Sequence, residues 1–185
     1  MDGLVMRRAV PGDAEKVSAL IRDAMESYRR DSGISRDVLE SLSESVESVA
    51  HRIMRHRCLC LFDGEKIVGT ITLSVCHNPM KYNFSRKTEY LLSTHNKCGY
   101  ISRFAVTDEL RQTGLGARLM NEALSTFNAE RIELVLLHTA VANRKMREFY
   151  LASGFELIDS ENSRGYERGL FAYSGTPVSG MAETA

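Results

Sequence analysis

The stretch from Gly99 to Asn128 constrains the fold more than any other part of the sequence. Residues 99–106, GYISRFAV, have the composition of a strand, and residues 115–128 place apolar side chains at helical spacing. Between them, ELRQTGLGA places Gly114 directly before the helix and Gly116 at its start. This order predicts a strand, a short glycine-containing loop and a helix whose first amides point toward one place.

Such a loop can bind phosphate, and two common phosphate-binding motifs can be compared with it. The P-loop requires GxxxxGK followed by Ser or Thr, and the sequence contains no such string. The dinucleotide motif GxGxxG would need glycine where Leu119 stands. The remaining possibilities are an anion cradle at a helix N-terminus and a turn without a ligand, and the two glycines alone do not separate them.

Hydrophobic periodicity predicts the elements on either side of this loop. On the N-terminal side these are a short strand at the start of LVMRRAVPGDAEKVSALI, a Pro-Gly turn and a helix capped by Asp13. A second helix ending near Arg55, a hairpin turning at Asp63 and Gly64, and an insertion loop at 77–97 with a helical turn near Glu89 follow. On the C-terminal side they are a strand at 131–139, a helix at 143–153, a strand from Phe155 and an edge strand at 166–173.

The predicted class is therefore α/β, with one mixed, largely antiparallel sheet flanked by helices in a single domain. Its continuously apolar strand at 131–139 is typical of a parallel strand covered on both faces. We expect this domain to span residues 1–174 and residues 175–185 to form a loose tail.

The charge balance and the cysteine content limit the expected partners, location and metal content of the protein. The 24 basic and 24 acidic residues cancel, so we expect neither nucleic acid nor a membrane surface as a partner. Without a signal-peptide pattern or a long apolar run, the expected location is the cytoplasm. Four cysteines without CxxC spacing indicate reduced thiols and no metal site, although Cys58, Cys60, Cys76, His77, His95 and Cys98 fall near one another in sequence.

Arg111, Gly114 and Gly116, read with the strand before them and with NRKMREFYLASGF at 143–155, resemble the GNAT superfamily of acyl-CoA-dependent N-acyltransferases. Its diphosphate loop has the form Gln/Arg-x-x-Gly-x-Gly/Ala. The resemblance covers nearly the whole chain, with its specific motifs between about 99 and 155. It implies the GNAT fold, acetyl-CoA as co-substrate without a metal, and acetyl transfer to a primary amine of a small molecule or peptide by direct attack in a ternary complex. A homodimer through edge strands is also common in that family.

The resemblance also assigns candidate site residues. The loop amides would bind the coenzyme A diphosphate, the strand before the loop would run beside the pantetheine arm, and the Val106 N–H would donate to the oxyanion. The cofactor-binding set implied in this way is Phe104, Ala105, Val106, Arg111, Gln112, Thr113, Gly114, Leu115, Gly116, Ala117, Asn143 and Tyr150.

Tyr150 has two interpretations. Its place seven residues after Asn143 and before Gly154 and Phe155 matches the family's pattern, which implies a general acid for the departing thiolate. A tyrosine hydroxyl, with an ordinary pKa near ~10, suits that task. On helical spacing alone it is a core tyrosine, and Asn143 is likewise either a cofactor contact or a helix N-cap.

A general base is harder to find. Family members often place a carboxylate on the strand that corresponds to 99–106, whereas this strand offers Ser102 and Arg103. His138, at the end of a predicted strand, is the candidate base, because imidazole titrates near neutrality. Weaker candidates are Glu89, His95 and Tyr100.

Two other functions stay open. SRFAV at 102–106 is also similar to the long-chain N-acyl amino acid synthases of the same superfamily, and a GNAT-fold module can bind acyl-CoA as a sensor without turnover. The insertion at 77–97 carries Lys81, Arg86 and Lys87, which would favour an acidic acceptor if the segment forms one wall of the acceptor pocket.

Overall fold

The structure is a computed structural model that describes residues 3–76 and 84–175. Its strands are β1 Leu4–Arg8, β2 Arg57–Asp63, β3 Lys66–Cys76, β4 Cys98–Val106, β5 Val135–Ala140, β6 Glu156–Glu161 and β7 Arg168–Tyr173. Its α-helices are α1 Ala14–Ser32, α2 Glu40–Ser43, α3 Val46–Arg55, α4 Arg86–Ser93, α5 Leu115–Ala129 and α6 Arg144–Ala152.

The strands form one sheet in the order β1-β2-β3-β4-β5-β7-β6, which confirms the predicted α/β class. Within the chain two compact units can be distinguished. The first comprises Met1–Arg30, Ile34–Ser74 and Ile101–Ala123, and the second comprises Asp31–Gly33, Val75–Tyr100 and Leu124–Ala185. The predicted domain bounds stay a prediction, and residues 176–185 of the predicted tail lie outside the described residues.

In the first unit, α1 and α3 pack on the β1-β2-β3 meander. Helix α1 buries one apolar face, on which Val17, Leu20 and Ile21 are at most 6% exposed. The hairpin of β2 and β3 turns at Gly64, which has a φ of 56°. Asp13 lies directly before α1, and its carboxylate accepts hydrogen bonds from the Val10 amide and the Arg7 guanidinium.

The predicted second helix is divided into α2 and α3. Glu44 between them has extended dihedral angles, and the Ser45 hydroxyl accepts a hydrogen bond from the Ser48 amide at 3.2 Å. This is an N-cap, which starts a new helix at Val46. The apolar spacing continues across the break, and for that reason periodicity alone predicted one helix.

In the second unit, β7 lies between β5 and β6, so the prediction that residues 166–173 form an edge strand is wrong. Phe171 pairs with Leu137 of β5 and with Leu157 of β6. The four central residues of β7 are buried, whereas β6 is mostly exposed or half-buried and forms the edge. β5 is covered on both faces as predicted, although its described pairing, with β7, is antiparallel.

The insertion holds more structure than the predicted turn. Helix α4 has eight residues, and the Ser85 hydroxyl caps it by accepting from the Thr88 amide. Leu91 and Leu92 of α4 join a core with Leu134 and Leu136, which attaches the insertion to the sheet. Residues 77–83, including the candidate acceptor-wall cation Lys81, lie outside the described part of the chain.

Because α5 lies close to β4, we predict that position 99 does not tolerate a residue larger than glycine. A Cβ there would lie 2.8 Å from the ring of Phe127, which is only 2% exposed and has little room to move. We expect Gly99→Ala to lower the free energy of unfolding by about 1–3 kcal/mol in urea denaturation. Gly12→Ala is the matched control, because no atom lies within 4 Å of its Cβ position. Equal midpoints for the two variants would contradict this packing.

Candidate active site

The loop between β4 and α5 ends in main-chain donors without intrahelical partners. Arg118 makes the first helical hydrogen bond, to the Gly114 carbonyl at 3.0 Å. The amides of Leu115, Gly116 and Ala117 precede it and therefore have no acceptor four residues back within α5. The partial positive charge of the helix N-terminus adds to the positive ends of these N–H groups. This geometry suits an anion.

The backbone of this loop turns before α5, which begins at Leu115 as expected. Gln112 and Gly114 are left-handed, with φ of 62° and 90°, whereas Gly116 lies inside α5. The residues from Arg111 to Gly114 are exposed, and no atom lies within 4 Å of a Cβ position at Gly114. The space beside Gly114 is thus open, and the left-handed turn is what makes glycine suitable there.

Arg111 attaches the loop to the end of β4. Its guanidinium contacts the Asp108 carboxylate at 2.7 Å and donates to the Val106 carbonyl at 3.4 Å. Asp108 in turn accepts from the Ser27 hydroxyl of α1 at 2.8 Å. The first residue of the predicted diphosphate motif therefore also has a structural role in the first unit.

Strand β4 is kinked just before the predicted main-chain contacts. Arg103 has a φ of 51°, a conformation that is strained by roughly 1–2 kcal/mol for a residue with a Cβ. The in-out alternation is lost there: Phe104 is half-buried, and Ala105 and Val106 are both buried. A left-handed residue inside a strand is typical of a β-bulge, which changes the direction of the groups that follow.

The side chain at this kink is held by an ion-pair cluster within the first unit. Glu44 Oε2 lies 3.0 Å from Arg103 Nε and 3.1 Å from Arg52 Nη2. The Glu44 and Arg52 side chains are only 11% and 12% exposed. Among the described residues, Nε and Nη1 of Arg52 are buried without a hydrogen-bond partner, and its Nη2 pairs with Glu44.

Tyr150, in the second unit, lies in an aromatic cluster. It is 6% exposed, and its ring centroid is 5.5 Å from that of Phe149 and 6.0 Å from those of Phe155 and Phe171. This packing is the core role that helical spacing indicated. It also orients the ring rigidly, which a proton donor requires.

Asn143 caps α6. Its Oδ1 accepts from the Met146 amide at 3.0 Å, and its Nδ2 donates to the Ser32 hydroxyl at 2.9 Å. The residue is 1% exposed, so it joins the start of α6 to the end of α1 within the second unit. The N-cap interpretation of Asn143 thus has direct geometric support.

His138 lies among aromatic side chains of the second unit. Its Nδ1 is 2.9 Å from the Tyr100 hydroxyl, and Phe84 stacks on the imidazole at a centroid distance of 6.2 Å. Burial lowers the pKa of His138 to about 4, with a further lowering by Arg168 and an opposing effect of Glu161. A base works best with a pKa near the working pH, so this environment weakens His138 in that role.

The structure thus brings the predicted residues together in two groups. The loop 111–117 and residues 104–106 belong to the first unit, and Asn143, Tyr150 and His138 belong to the second. Of the weaker base candidates, Tyr100 contacts His138, whereas His95 bonds to the Leu91 carbonyl and Glu89 lies on α4.

Sequence reasoning missed the kink at Arg103 and the role of Glu44. Arginine is not a residue that favours the left-handed region, and Glu44 lies 59 positions from Arg103. Within the described residues, no group of three or more His, Cys, Asp or Glu is arranged to hold a metal ion. No helix in that same part of the chain has the length and apolar character needed to cross a membrane.

A family model described as the Acetyltransferase (GNAT) family matches residues 18–155. The chain therefore belongs to the GNAT acetyltransferases, whose members transfer acyl groups from acyl-CoA. No curated protein sequence matches the chain.

Solved structures show the same fold. The PaiA N-acetyltransferase from Thermoplasma acidophilum, in complex with coenzyme A, has a TM-score of 0.73 at 19% identity, covering 92% of this chain and 98% of that one. A GNAT acetyltransferase from Streptococcus agalactiae has a TM-score of 0.71 at 14% identity, covering 95% and 98%. A GCN5-related N-acetyltransferase from Ralstonia eutropha has a TM-score of 0.64 at 22% identity, covering 84% and 94%.

The buried imidazole predicts a pH dependence of stability. Below its ordinary pKa of 6.5, His138 takes up a proton in the unfolded chain but stays neutral in the folded one until about pH 4. The free energy of unfolding should therefore fall by up to about 3 kcal/mol as the pH drops from 6.5 to 4.

Urea unfolding of the wild type and of His138→Asn at pH 7, 5.5 and 4.5 measures this contribution. Asparagine keeps a polar group near Tyr100 but cannot titrate, so its stability should decline less over that range. Parallel pH profiles for the two proteins, or an imidazole that titrates near 6.5 by NMR, would contradict the assignment.

Proposed function

We propose that this protein is an N-acetyltransferase that moves the acetyl group of acetyl-CoA to a primary amine of a small molecule or peptide. The observation that carries the proposal is the set of main-chain amides at 115–117, which stand at the N-terminus of α5 without intrahelical acceptors. A diphosphate is the anion that such a loop binds best in a GNAT protein. The coenzyme A complex of the PaiA N-acetyltransferase supports the choice of ligand.

The loop's other residues would shape this cradle. Gln112 and Gly114 supply the left-handed turns, and Arg111 holds the loop to β4 through Asp108 and the Val106 carbonyl. Because Arg111 is already paired with Asp108, we assign diphosphate binding chiefly to main-chain groups from Gln112 to Ala117, including Thr113. Their fixed dipoles need no reorganisation when the ligand arrives.

The chemistry would be direct attack. The neutral amine nitrogen forms a bond to the thioester carbonyl carbon, and the oxyanion accepts from the Val106 N–H. The nitrogen then gives its surplus proton to water as the C–S bond breaks. Tyr150 would give its proton to the departing thiolate, with Phe104 and Ala105 beside the pantetheine arm and Asn143 near the cofactor. No covalent acyl-enzyme and no metal take part in this scheme.

The amine must lose its proton before attack, because an alkylamine with a pKa near ~10.4 is mostly charged at neutral pH. His138 is the candidate acceptor of this proton, through Tyr100 or water. Its lowered pKa, about 4, makes it a weak base. The rate would then depend on the fraction of acceptor that is already neutral.

The setting of this reaction is also part of the proposal. We infer a cytoplasmic enzyme that acts without nucleic acid or a membrane, and a homodimer, which is common in the family, is one assembly open to it. The cysteines Cys58, Cys60, Cys76 and Cys98 are free, which agrees with a reducing compartment.

Gly114 provides a test of the anion cradle. Gly114→Glu adds a negative charge and a strained φ at the loop, so we expect acetyl-CoA affinity to fall by more than about a hundredfold in calorimetric titration. Gly64→Glu is the control, because Gly64 is also left-handed with open space at its Cβ position but lies at the β2-β3 turn. Equal affinities for the two variants would rule out the cradle.

Tyr150 provides a test of the proton donor. Tyr150→Phe keeps the ring among Phe149, Phe155 and Phe171, so we expect turnover measured by thiol release to fall about a hundredfold with little change in acetyl-CoA affinity. Tyr173→Phe is the control, because Tyr173 packs on Phe155 in the same cluster. If Tyr150→Phe turns over at the wild-type rate across the pH range, Tyr150 is a core residue only.

A further inference from the structure

The left-handed conformation of Arg103 needs an anchor. A residue with a Cβ avoids a φ of 51° unless its surroundings hold it there. Neither Ser102 nor Phe104 is a glycine that would absorb the turn at lower cost. The anchor must therefore come from tertiary contacts of Arg103 itself.

Glu44 provides that contact. Its Oε2 accepts from Arg103 Nε at 3.0 Å, and the carboxylate is 11% exposed, so water screens the pair only weakly. Glu44 lies at the break between α2 and α3, where Ser45 caps the next helix and fixes the local backbone. Because the backbone at Glu44 is held in this way, its carboxylate can hold the Arg103 side chain in one position.

Arg52 holds Glu44 in place from the other side. Arg52 Nη2 is 3.1 Å from the same Oε2 atom, and its side chain is 12% exposed on α3. With one carboxylate oxygen shared between two guanidinium groups, Glu44 cannot follow Arg103 into another rotamer without leaving Arg52 buried and unpaired. The cluster therefore favours one position of the kink.

We propose that Glu44 is a positioning residue for acyl transfer, which holds Arg103 left-handed so that the main-chain groups of residues 104–106 keep their orientation toward the thioester. This inference rests on the proposed function, because it gives Glu44 a role only if β4 binds the acyl group. The inference adds Glu44 to the proposed site as the residue that sets the geometry of β4. Glu44 lies outside the family motifs at 99–155.

A general-base role for Glu44 is less well supported by the same contacts. Glu44 Oε2 is shared between the Arg103 and Arg52 guanidinium groups, and these contacts give the carboxylate a structural task. Glu44 would thus act through the backbone of β4 and need not touch the substrate.

The test compares two substitutions at Arg103. Arg103→Ala removes the anchored side chain but keeps the Cβ, so the left-handed state is no longer held, and we expect kcat for thiol release to fall about tenfold. Arg103→Gly also removes the side chain, but glycine adopts that φ without the Cβ penalty, so kcat should stay several-fold above that of Arg103→Ala.

Glu44→Gln is then measured in two backgrounds. In the wild type we expect kcat to fall about tenfold with acetyl-CoA affinity changed less than about threefold; in Arg103→Gly the same substitution should change kcat less than about twofold, because the anchor is already absent. Glu47→Gln is the control, since Glu47 is exposed on the first turn of α3. All rates are taken well below each variant's melting temperature.

The outcomes separate the two proposals. A wild type that binds acyl-CoA and turns over, but in which Arg103→Ala equals Arg103→Gly, overturns the positioning role of Glu44. An equal effect of Glu44→Gln in both backgrounds also overturns it. A wild type without turnover for any amine overturns the proposed function instead. If Glu44→Gln does not fold, the Arg103 pair alone decides.

Discussion

The amides at the start of α5, which have no intrahelical acceptors, are the feature on which the proposed chemistry depends. A helix must leave its first N–H groups without intrahelical acceptors, and here the left-handed turns at Gln112 and Gly114 bring the chain from β4 into that start. The loop is exposed while Leu115, directly after it, is buried and fixes the helix to its unit. The loop therefore has an open side next to a buried helix start, which suits the proposed anion binding.

The charged side chains described here for β4 and the loop after it mainly form ion pairs that hold the backbone in position. Arg111 is neutralised by Asp108, and Arg103 is neutralised by Glu44, so neither guanidinium is an isolated cation awaiting an anion. Under the proposed function, main-chain dipoles are left as the groups that would face the ligand. In the second unit burial lowers the pKa of His138 to about 4, which weakens this candidate as a base. Substrate choice would then favour amines that lose a proton easily.

Several features could be predicted from sequence because a local signal carries them. Asp63 and Gly64 mark the hairpin, Asn143 marks a helix start, and the loop before Leu115 carries its own glycines. The position of β7 in the sheet could not be predicted from sequence. β6 and β7 both follow α6, and their order in the sheet depends on which buried faces meet. The kink at Arg103 depends on a partner 59 positions away, and no local pattern reports such a contact.

Calorimetric titration of the purified protein with acetyl-CoA, dephospho-CoA and a long-chain acyl-CoA tests the central claim most directly. We predict that acetyl-CoA binds at one site per protein chain and that the long-chain acyl-CoA binds more weakly. A preference for the long chain would favour an N-acyl amino acid synthase. Absence of binding to all three would mean that the amides at 115–117 bind no coenzyme A, which would contradict the account.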